Sequence, residues 1–240
     1  MSGWRRRVFD APGLTQSPPG PCLEKLARRW TRMIYVTSPG YDDIGQVLRS
    51  MGATFEPFQG NYDCDLLFVN CGTHDHLNPG QLRRFVHSGG CLYASDLTSS
   101  LISKAFPGAF QFRGSGSSGE VAADVVDDEL REVVGDTTTI HFDMPSWSVI
   151  DECQGETLVQ AAHRTPYAGR PLMVEVELGE GAIFYTSFHN RAQVSEQEKV
   201  LLQLLVLKQI STSSKTTVVQ ASQSLGINLS ALKKNRHGRS

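Results

Sequence analysis

Short apolar segments alternate with amphipathic segments between residues 33 and 106, and this alternation constrains the fold most strongly. The segments "MIYVTS", "ATFEPF", "DCDLLFVNCG" and "CLYASD" have the β-branched and aromatic character of strands. The intervening and following segments "YDDIGQVLRSMG", "NPGQLRRFVHSGG" and "LTSSLISKAF" space their apolar residues as helices do. This order predicts an open, mostly parallel sheet with helices on both faces.

The region from about residue 108 to 170 is less regular. There "GSGSSGE" is typical of a loop and "DDELREVVG" of a short acidic helix. Four further segments predict strands: "EVAADVVD", "TTTIHFD", "SWSVI" and "ETLVQAAH". The last three are expected to be antiparallel or at an edge of the sheet. Further on, "PLMVEVELGEGAIFYTSF" predicts a hairpin that turns at residues 179–181. The segment "SEQEKVLLQLLVLKQI" predicts a strong helix that begins with a capping box formed by Ser195 and Glu198.

Composition divides the chain into three regions. Residues 1–30 contain four prolines and predict a flexible N-terminal extension. Residues 31–210 predict the α/β domain. Residues 211–240 are rich in Ser, Thr and Lys and predict a basic, weakly ordered C-terminal tail.

Charge and hydropathy exclude several classes of protein. A formal net charge of -2 gives no general attraction to nucleic acid, and the few basic residues at the two ends provide only salt-sensitive, nonspecific contacts. No apolar run reaches the roughly 18 residues of a membrane span, and the N-terminus lacks the apolar stretch of a secretory signal. Five cysteines without a CxxC pair are typical of reduced thiols. These features predict a cytoplasmic protein that binds neither a specific nucleic acid nor a membrane.

Polar residues follow each predicted strand. In open α/β sheets, sites lie outside the carboxyl ends of the strands, so these residues are expected to meet in one crevice. They are Tyr41, Asp42, Asp43, Asn70, Cys71, Gly72, Thr73, His74, Asp75, His76, Ser95, Asp96, His189 and Asn190. Of these, the predicted ligand-binding set is Tyr41, Asp42, Asn70, Cys71, Gly72, Thr73, His74 and Asn190, and the candidate catalytic residues are Ser95, Asp96 and His189.

The chain resembles the class I glutamine amidotransferase-like superfamily in its order of elements and in three segments. These are the strand-ending "NCG", the "GG-CLYASD" turn and the closing "GEGAIFYTSFHN". Within it, the chain is most similar to the trehalose-utilisation (ThuA-like) branch, over roughly residues 33–208. The resemblance implies a flavodoxin-like three-layer sandwich with a mostly parallel central sheet and an added β-hairpin.

The resemblance also implies where a catalytic site would lie. The amidotransferases of the superfamily place a nucleophilic cysteine, flanked by glycines, at a sharp strand-to-helix turn; here that position falls on Ser95 or Asp96, without a flanking glycine. His189 matches the histidine that acts as the base. The acidic member expected two residues later is replaced by Arg191. Glutaminase activity is therefore not expected.

Several interpretations of single residues stay open at this point. Ser95 could form a dyad with His189, or Ser95 and Asp96 could cap the following helix. Asp96 could also fix the tautomer of His189. Cys71 could be a reactive thiol or a small buried residue. His74 and His76 could chelate a metal ion with His189 or Asp75, but an H-x-H pair alone is a weak signal, and we predict no metal and no cofactor.

The favoured function is a binding or scaffolding module with a site for a small polar ligand or a protein partner at the strand ends. The alternative is a hydrolase-type enzyme that uses His189 with Ser95, Asp96 or Cys71.

Overall fold

The structure of the chain is a computed structural model that describes residues 33–235. The strands are β1 (Ile34–Val36), β2 (Glu56–Pro57), β3 (Leu66–Val69), β4 (Cys91–Ser95), β5 (Phe110–Ser115), β6 (Gly119–Val125), β7 (Thr137–Phe142), β8 (Ser148–Cys153), β9 (Glu156–Ala161), β10 (Pro171–Leu178) and β11 (Gly181–Thr186). The α-helices are α1 (Ile44–Ser50), α2 (Pro79–His87), α3 (Ser99–Ala105), α4 (Asp128–Val134), α5 (Glu196–Ser214), α6 (Val218–Ser224) and α7 (Leu229–Asn235). Two 3₁₀ helices span Asp96–Thr98 and Asn190–Ala192.

Nine of the described strands form one sheet in the order β2-β1-β3-β4-β11-β10-β9-β6-β7. The first five strands of this order pair in parallel. The hairpin β10–β11 then reverses the direction, and β9, β6 and β7 continue the sheet with antiparallel pairing. The predicted α/β class, the largely parallel centre and the added hairpin are confirmed.

Two apolar layers cover the central sheet, one on each face. Along β4, Cys91 and Tyr93 face the layer built by α1 and α5, whereas Leu92 and Ala94 face the layer built by α2 and α3. Alternate residues of a strand point to opposite faces, so a strand covered on both sides has a continuous apolar sequence. This accounts for the apolar runs of β3 and β4 and confirms the three-layer sandwich.

Local signals in the sequence set several helix boundaries. Asn78 caps α2 by accepting a hydrogen bond from the Gln81 backbone N–H, and Pro79 occupies the first turn. Ser195 and Glu198 form both hydrogen bonds of the predicted capping box at the start of α5. These predictions are confirmed.

The C-terminal region differs from the prediction of a weakly ordered tail from residue 211. Helix α5 continues to Ser214, and α6 and α7 follow. Helix α5 is apolar on most of its circumference, so its outer face needs a further layer. Apolar side chains of α6, α7 and the turn between them supply it: Val218, Ala221, Leu225, Ile227, Leu229 and Leu232. The predicted N-terminal extension, residues 1–30, lies outside the described residues, as do residues 236–240.

One strand was missed by the sequence analysis. Residues 110–115 form β5, which pairs with β8 in a separate two-stranded antiparallel sheet. The pairing is irregular, with shifts in register on both sides of Phe112, and this irregularity obscures the alternating pattern that identifies a strand. Among the described helices, none combines the length and the apolar character that a membrane crossing requires.

Candidate functional site

The turn after β4 has an unusual backbone conformation at Asp96. Its φ angle is 39°, in the left-handed region that residues with a Cβ seldom adopt, although Asp tolerates it better than most. Two long-range contacts stabilise the turn: the Ser148 backbone N–H donates a 2.9 Å hydrogen bond to Asp96 Oδ1, and the Tyr185 hydroxyl donates to the Asp96 carbonyl oxygen. The turn therefore presents a carboxylate where the resemblance implies a nucleophile.

His189 lies directly opposite this turn. Its Nε2 atom is 3.2 Å from Asp96 Oδ2, and its Nδ1 atom is 3.0 Å from Asp143 Oδ1. The Nε2 contact is close enough for an ion pair but lacks the direction of a hydrogen bond, so Nε2 is a buried nitrogen without an aligned partner. The ring of Tyr41 lies over the imidazole, with 6.3 Å between ring centroids and an interplanar angle of 22°.

Cys71 completes a compact group with Asp96 and His189. One ligand atom from each residue, the Cys71 sulfur included, lies within 4.8 Å of the other two. All three side chains are buried, since the side chains of His189 and Asp96 are only 2% and 3% exposed and Cys71 is inaccessible. The group is closed to solvent in this conformation.

Asp42 forms a second buried centre beside this group. It accepts a 2.7 Å hydrogen bond from the Ser95 hydroxyl and a 2.8 Å hydrogen bond from the Asn190 backbone N–H. Burial raises the pKa of the Asp42 carboxyl, and these hydrogen bonds oppose the rise only in part.

Ser95 is thus a hydrogen-bond donor to Asp42 and makes no side-chain cap to the following helix. Asp96 also accepts from Ser148 rather than from its own helix, so the capping interpretation is wrong for both residues.

The protonation of His189 follows from its neighbours. Burial lowers the pKa of this imidazole, but interactions with Asp96 and Cys71 and the charge of Asp42 outweigh burial and raise the pKa to about 11. At neutral pH the ring is therefore an imidazolium. A general base must be able to accept a proton near the working pH, and an imidazolium cannot.

The segment after β3 mainly holds its neighbours in place. Asn70 Oδ1 accepts from the Ile44 backbone N–H at the start of α1, and its Nδ2 donates to the Thr37 carbonyl oxygen. The Thr73 hydroxyl contacts the Thr37 hydroxyl at 3.0 Å. Gly72 has a φ of 87°, and a Cβ there would meet the Tyr41 ring at 2.8 Å. These residues position Cys71 and Tyr41.

The predicted convergence at the strand ends is observed for Tyr41, Asp42, Asn70, Cys71, Ser95, Asp96, His189 and Asn190. Their roles in binding or catalysis stay predictions. His74 is different, because its ion-pair partner among the residues described is Asp75, at 3.8 Å. Neither His74 nor His76 belongs to a group of three potential metal ligands within residues 33–235.

Asp143 is the site residue that the sequence analysis missed. It directly follows β7, in "TTTIHFD", and contacts His189, which lies 46 positions later in the chain. The resemblance implies an acidic partner two residues after His189, and Asp96 was the other acidic candidate in the sequence. A polar residue at the end of a predicted strand was the available signal.

The described residues form an α/β fold of the flavodoxin-like class. Among solved structures, the chain is similar to a candidate GMP synthase subunit from Thermoplasma acidophilum, with a TM-score of 0.52 and 12% identity over 82% of this chain and 98% of that one. Neither a protein-family model nor a curated protein sequence matches the chain.

Two β-galactosidases also share the fold over part of their length. The enzyme from Rahnella sp. R3 has a TM-score of 0.53 and 14% identity over 78% of this chain and 32% of its own. The enzyme from Bacillus circulans sp. alkalophilus has a TM-score of 0.50 and 11% identity over 82% of this chain and 31% of its own. The chain thus spans about a third of the length of these enzymes. At such identities the similarity describes the fold alone.

Proposed function

We propose that this chain is an amidotransferase-like module without glutaminase activity, which binds a small polar ligand or a protein partner at the carboxyl ends of the parallel strands. The observation that carries the proposal is Asp96 at the turn after β4. A carboxylate stands there with a φ of 39°, and the residue is buried. The thiol that the amidotransferase reaction needs is absent from that turn.

The state of His189 supports the same conclusion. Its neighbours raise the pKa of this imidazole to about 11, so the ring is poorly suited to act as a general base at neutral pH. The ring is also covered by Tyr41 and is almost inaccessible. A closed polar network at this point suits a rigid platform better than a substrate pocket.

The accessible rim is where a ligand or partner would bind. Tyr41 is 53% exposed and the Asp143 side chain is 41% exposed, and both contact the buried His189. Arg191 reaches the Gly40 carbonyl oxygen from the same side and stays exposed. An aromatic face with one acidic and one basic group fits a small polar ligand or a polar patch on a protein.

The finer assignments belong to the same proposal. The hairpin that ends in His189 supports membership of the ThuA-like branch, in which this chain would be a pseudoenzyme. Free thiols at Cys64, Cys71 and Cys153 fit a cytoplasmic location, where cysteines stay reduced.

Ammonia release from glutamine tests the loss of activity. We expect the wild-type chain to release no more ammonia than a buffer blank, and His189→Ala to give the same value.

Ligand binding is tested by thermal-shift screening of small polar compounds. A compound that binds at the rim should lose its shift in Tyr41→Ala and keep it in Val219→Ala, an exposed apolar residue on α6. Glutamine turnover that His189→Ala abolishes would refute the proposal.

A hydrolase is the second candidate, and one observation favours it. Asp143 would orient His189, with 3.0 Å between Oδ1 and Nδ1. His189 would act as the base beside Asp96, the reacting carboxylate, with 3.2 Å between Nε2 and Oδ2. Such an enzyme would need Tyr41 to move and His189 to lose its proton. Ester hydrolysis that falls at least ~100-fold in both His189→Ala and Asp96→Asn would establish it.

A further inference from the structure

The group formed by Cys71, Asp96 and His189 combines three types of metal ligand. The sulfur, the carboxylate oxygen and the imidazole nitrogen lie within 4.8 Å of one another. Ligand atoms around a tetrahedral zinc ion, with bonds of about 2.0 to 2.3 Å, are roughly 3.3 to 3.8 Å apart. The three atoms would have to approach one another from within 4.8 Å to these separations to hold such an ion.

The orientation of His189 points to a ligand independently of that grouping. Nε2 is a buried ring nitrogen with no aligned hydrogen-bond partner, and the residue is 2% exposed. A buried ring nitrogen that has an ion-pair contact but no aligned hydrogen bond is uncommon and needs an explanation. Nε2 lies 3.2 Å from Asp96 Oδ2, where a shared ion would serve both residues.

The second nitrogen of the same ring is already held as in protein metal sites. A ligating histidine commonly donates its other N–H to a carboxylate, which sets the tautomer and the direction of the ring. Here Nδ1 lies 3.0 Å from Asp143 Oδ1. Asp143 thus leaves Nε2 as the nitrogen that faces Cys71 and Asp96.

The local charge also favours a cation. Asp42 and Asp96 are both buried, and within residues 33–235 neither forms an ion pair with a lysine or an arginine. His189 is the single described cationic group that faces them. Two buried carboxylates thus share one positive charge, and a dication that displaces the Nε2 proton to solvent would neutralise more of their charge than that proton does.

We propose that Cys71, Asp96 and His189 form a binding site for a divalent transition-metal ion of the Zn²⁺ type, with Asp143 as the positioning residue for His189. The ligand set selects this class, because thiolate and imidazole bind zinc-like ions and disfavour Mg²⁺ and Ca²⁺, which prefer oxygen. The inference goes beyond the proposed function, since the metal would occupy the buried group and not the exposed rim.

Cobalt provides a direct test, because Co²⁺ replaces Zn²⁺ and a Co²⁺–thiolate bond gives a charge-transfer band in the near ultraviolet. The full-length chain is freed of metal with a chelator and titrated with Co²⁺ at neutral pH. We expect the band to saturate at one equivalent and to disappear when Zn²⁺ is added. The bound zinc is then counted by elemental analysis after dialysis.

Matched variants assign the site. Cys71→Ala should abolish the band and His189→Gln should weaken Co²⁺ binding at least ~10-fold, whereas Cys91→Ala, at an equally buried cysteine of β4, should leave both unchanged. A chain that keeps Cys71 and has its other four cysteines replaced should retain the band. Circular dichroism verifies that each variant is folded.

Two results would overturn the proposal. One is the absence of a thiolate band in the wild-type chain, a result that does not depend on the folding of any variant. The other is a band that persists in Cys71→Ala or is lost in the chain that keeps only Cys71. These readings are independent of ammonia release and of ligand binding at the rim, so the metal proposal and the proposed function can fail separately.

Discussion

His189 and Asp143 are joined by a 3.0 Å contact between Nδ1 and Oδ1, although 46 positions separate them in the chain. Asp143 follows β7, at one edge of the nine-stranded sheet, and His189 follows β11 near its centre. The contact replaces the acidic residue that the resemblance places two positions after the histidine. The acidic partner of the imidazole therefore comes from another strand end.

Asp143→Asn tests what this contact does. An amide keeps the size of the side chain but removes the charge that favours the Nδ1–H form. Loss of such a partner commonly weakens metal affinity by roughly 10 to 100-fold, and we expect a decrease of that size in Co²⁺ titrations. The charge-transfer band should keep its shape, because the thiolate ligand is unchanged.

The control for this prediction is Asp136→Asn, which changes an exposed carboxylate outside the site. Its Co²⁺ affinity should equal that of the wild-type chain. An Asp143→Asn chain with unchanged affinity would mean that Asp143 does not position His189.

Lys208 of α5 is predicted to stabilise the fold in a pH-dependent way. Its amino group lies 2.8 Å from Asp127 Oδ2, with both side chains 11% exposed. Burial lowers the pKa of Lys208, but the carboxylates of Asp127, Glu175 and Glu129 outweigh it and raise the pKa above its usual value. Because the folded-state pKa lies above the unfolded value of 10.5, this contribution is complete below pH 10.5 and is lost as the pH rises through the folded-state pKa.

Urea unfolding of Lys208→Met measures the effect. We expect the free energy of unfolding to fall by about 3 kcal/mol at pH 7, since the change leaves a largely buried carboxylate without its partner. The difference from the wild-type chain should shrink above pH 10.5. Lys199→Met is the control on the same helix, because its pair with Glu196 is exposed and should contribute less than about 1 kcal/mol. Equal losses in the two variants would contradict the prediction.

Gly116 is predicted to be intolerant of any side chain. A Cβ at this position would lie 1.8 Å from Trp147 Cε2, and Trp147 is buried against Phe142 with 4.1 Å between ring centroids. Gly116→Ala should therefore lower the free energy of unfolding by about 1–3 kcal/mol through overpacking.

A double-mutant cycle with Trp147→Phe checks this mechanism. The smaller ring leaves room for the added methyl group, so Gly116→Ala should cost less in the Trp147→Phe background than in the wild-type chain. Additive losses would show that the clash with Trp147 is not the cause.

Thr217 is predicted to hold the C-terminal helices in place. Its hydroxyl accepts from the Gln220 backbone N–H, and the Gln220 side chain accepts from the Thr217 backbone N–H, which completes a capping box for α6. Thr217→Ala should reduce stability by about 1 kcal/mol and speed amide hydrogen exchange in residues 218–224.

Thr216→Ala is the neighbouring control, and its exchange rates should match those of the wild-type chain. If Thr217→Ala exchanged no faster than this control, the capping box would not contribute to the stability of α6.

The sequence alone determined the elements that depend on local interactions. Short apolar runs rich in β-branched and aromatic residues identified the strands of residues 33–106, and helical spacing of apolar residues identified the helices. Ser195 and Glu198, which lie within one helical turn of each other, specified the start of α5. Parallel pairing of these strands also followed, because alternating strands and helices have few ways to pack. The position of polar residues after each predicted strand then placed His189 and the turn at Ser95 and Asp96 on the same edge of the sheet.

Tertiary structure alone decided which atoms meet at that edge. Asp143 reaches His189 through sheet pairing between segments far apart in sequence, and no local pattern encodes such a contact. The same holds for Cys71 beside Asp96 and His189, a grouping that underlies a metal proposal where the sequence predicted no metal. Helices α6 and α7 are ordered because α5 leaves an apolar face to cover, whereas their own short, polar sequences predicted a tail. Burial and charge act through space, so the protonation of His189 and the identity of its contacting residues depend on the folded arrangement.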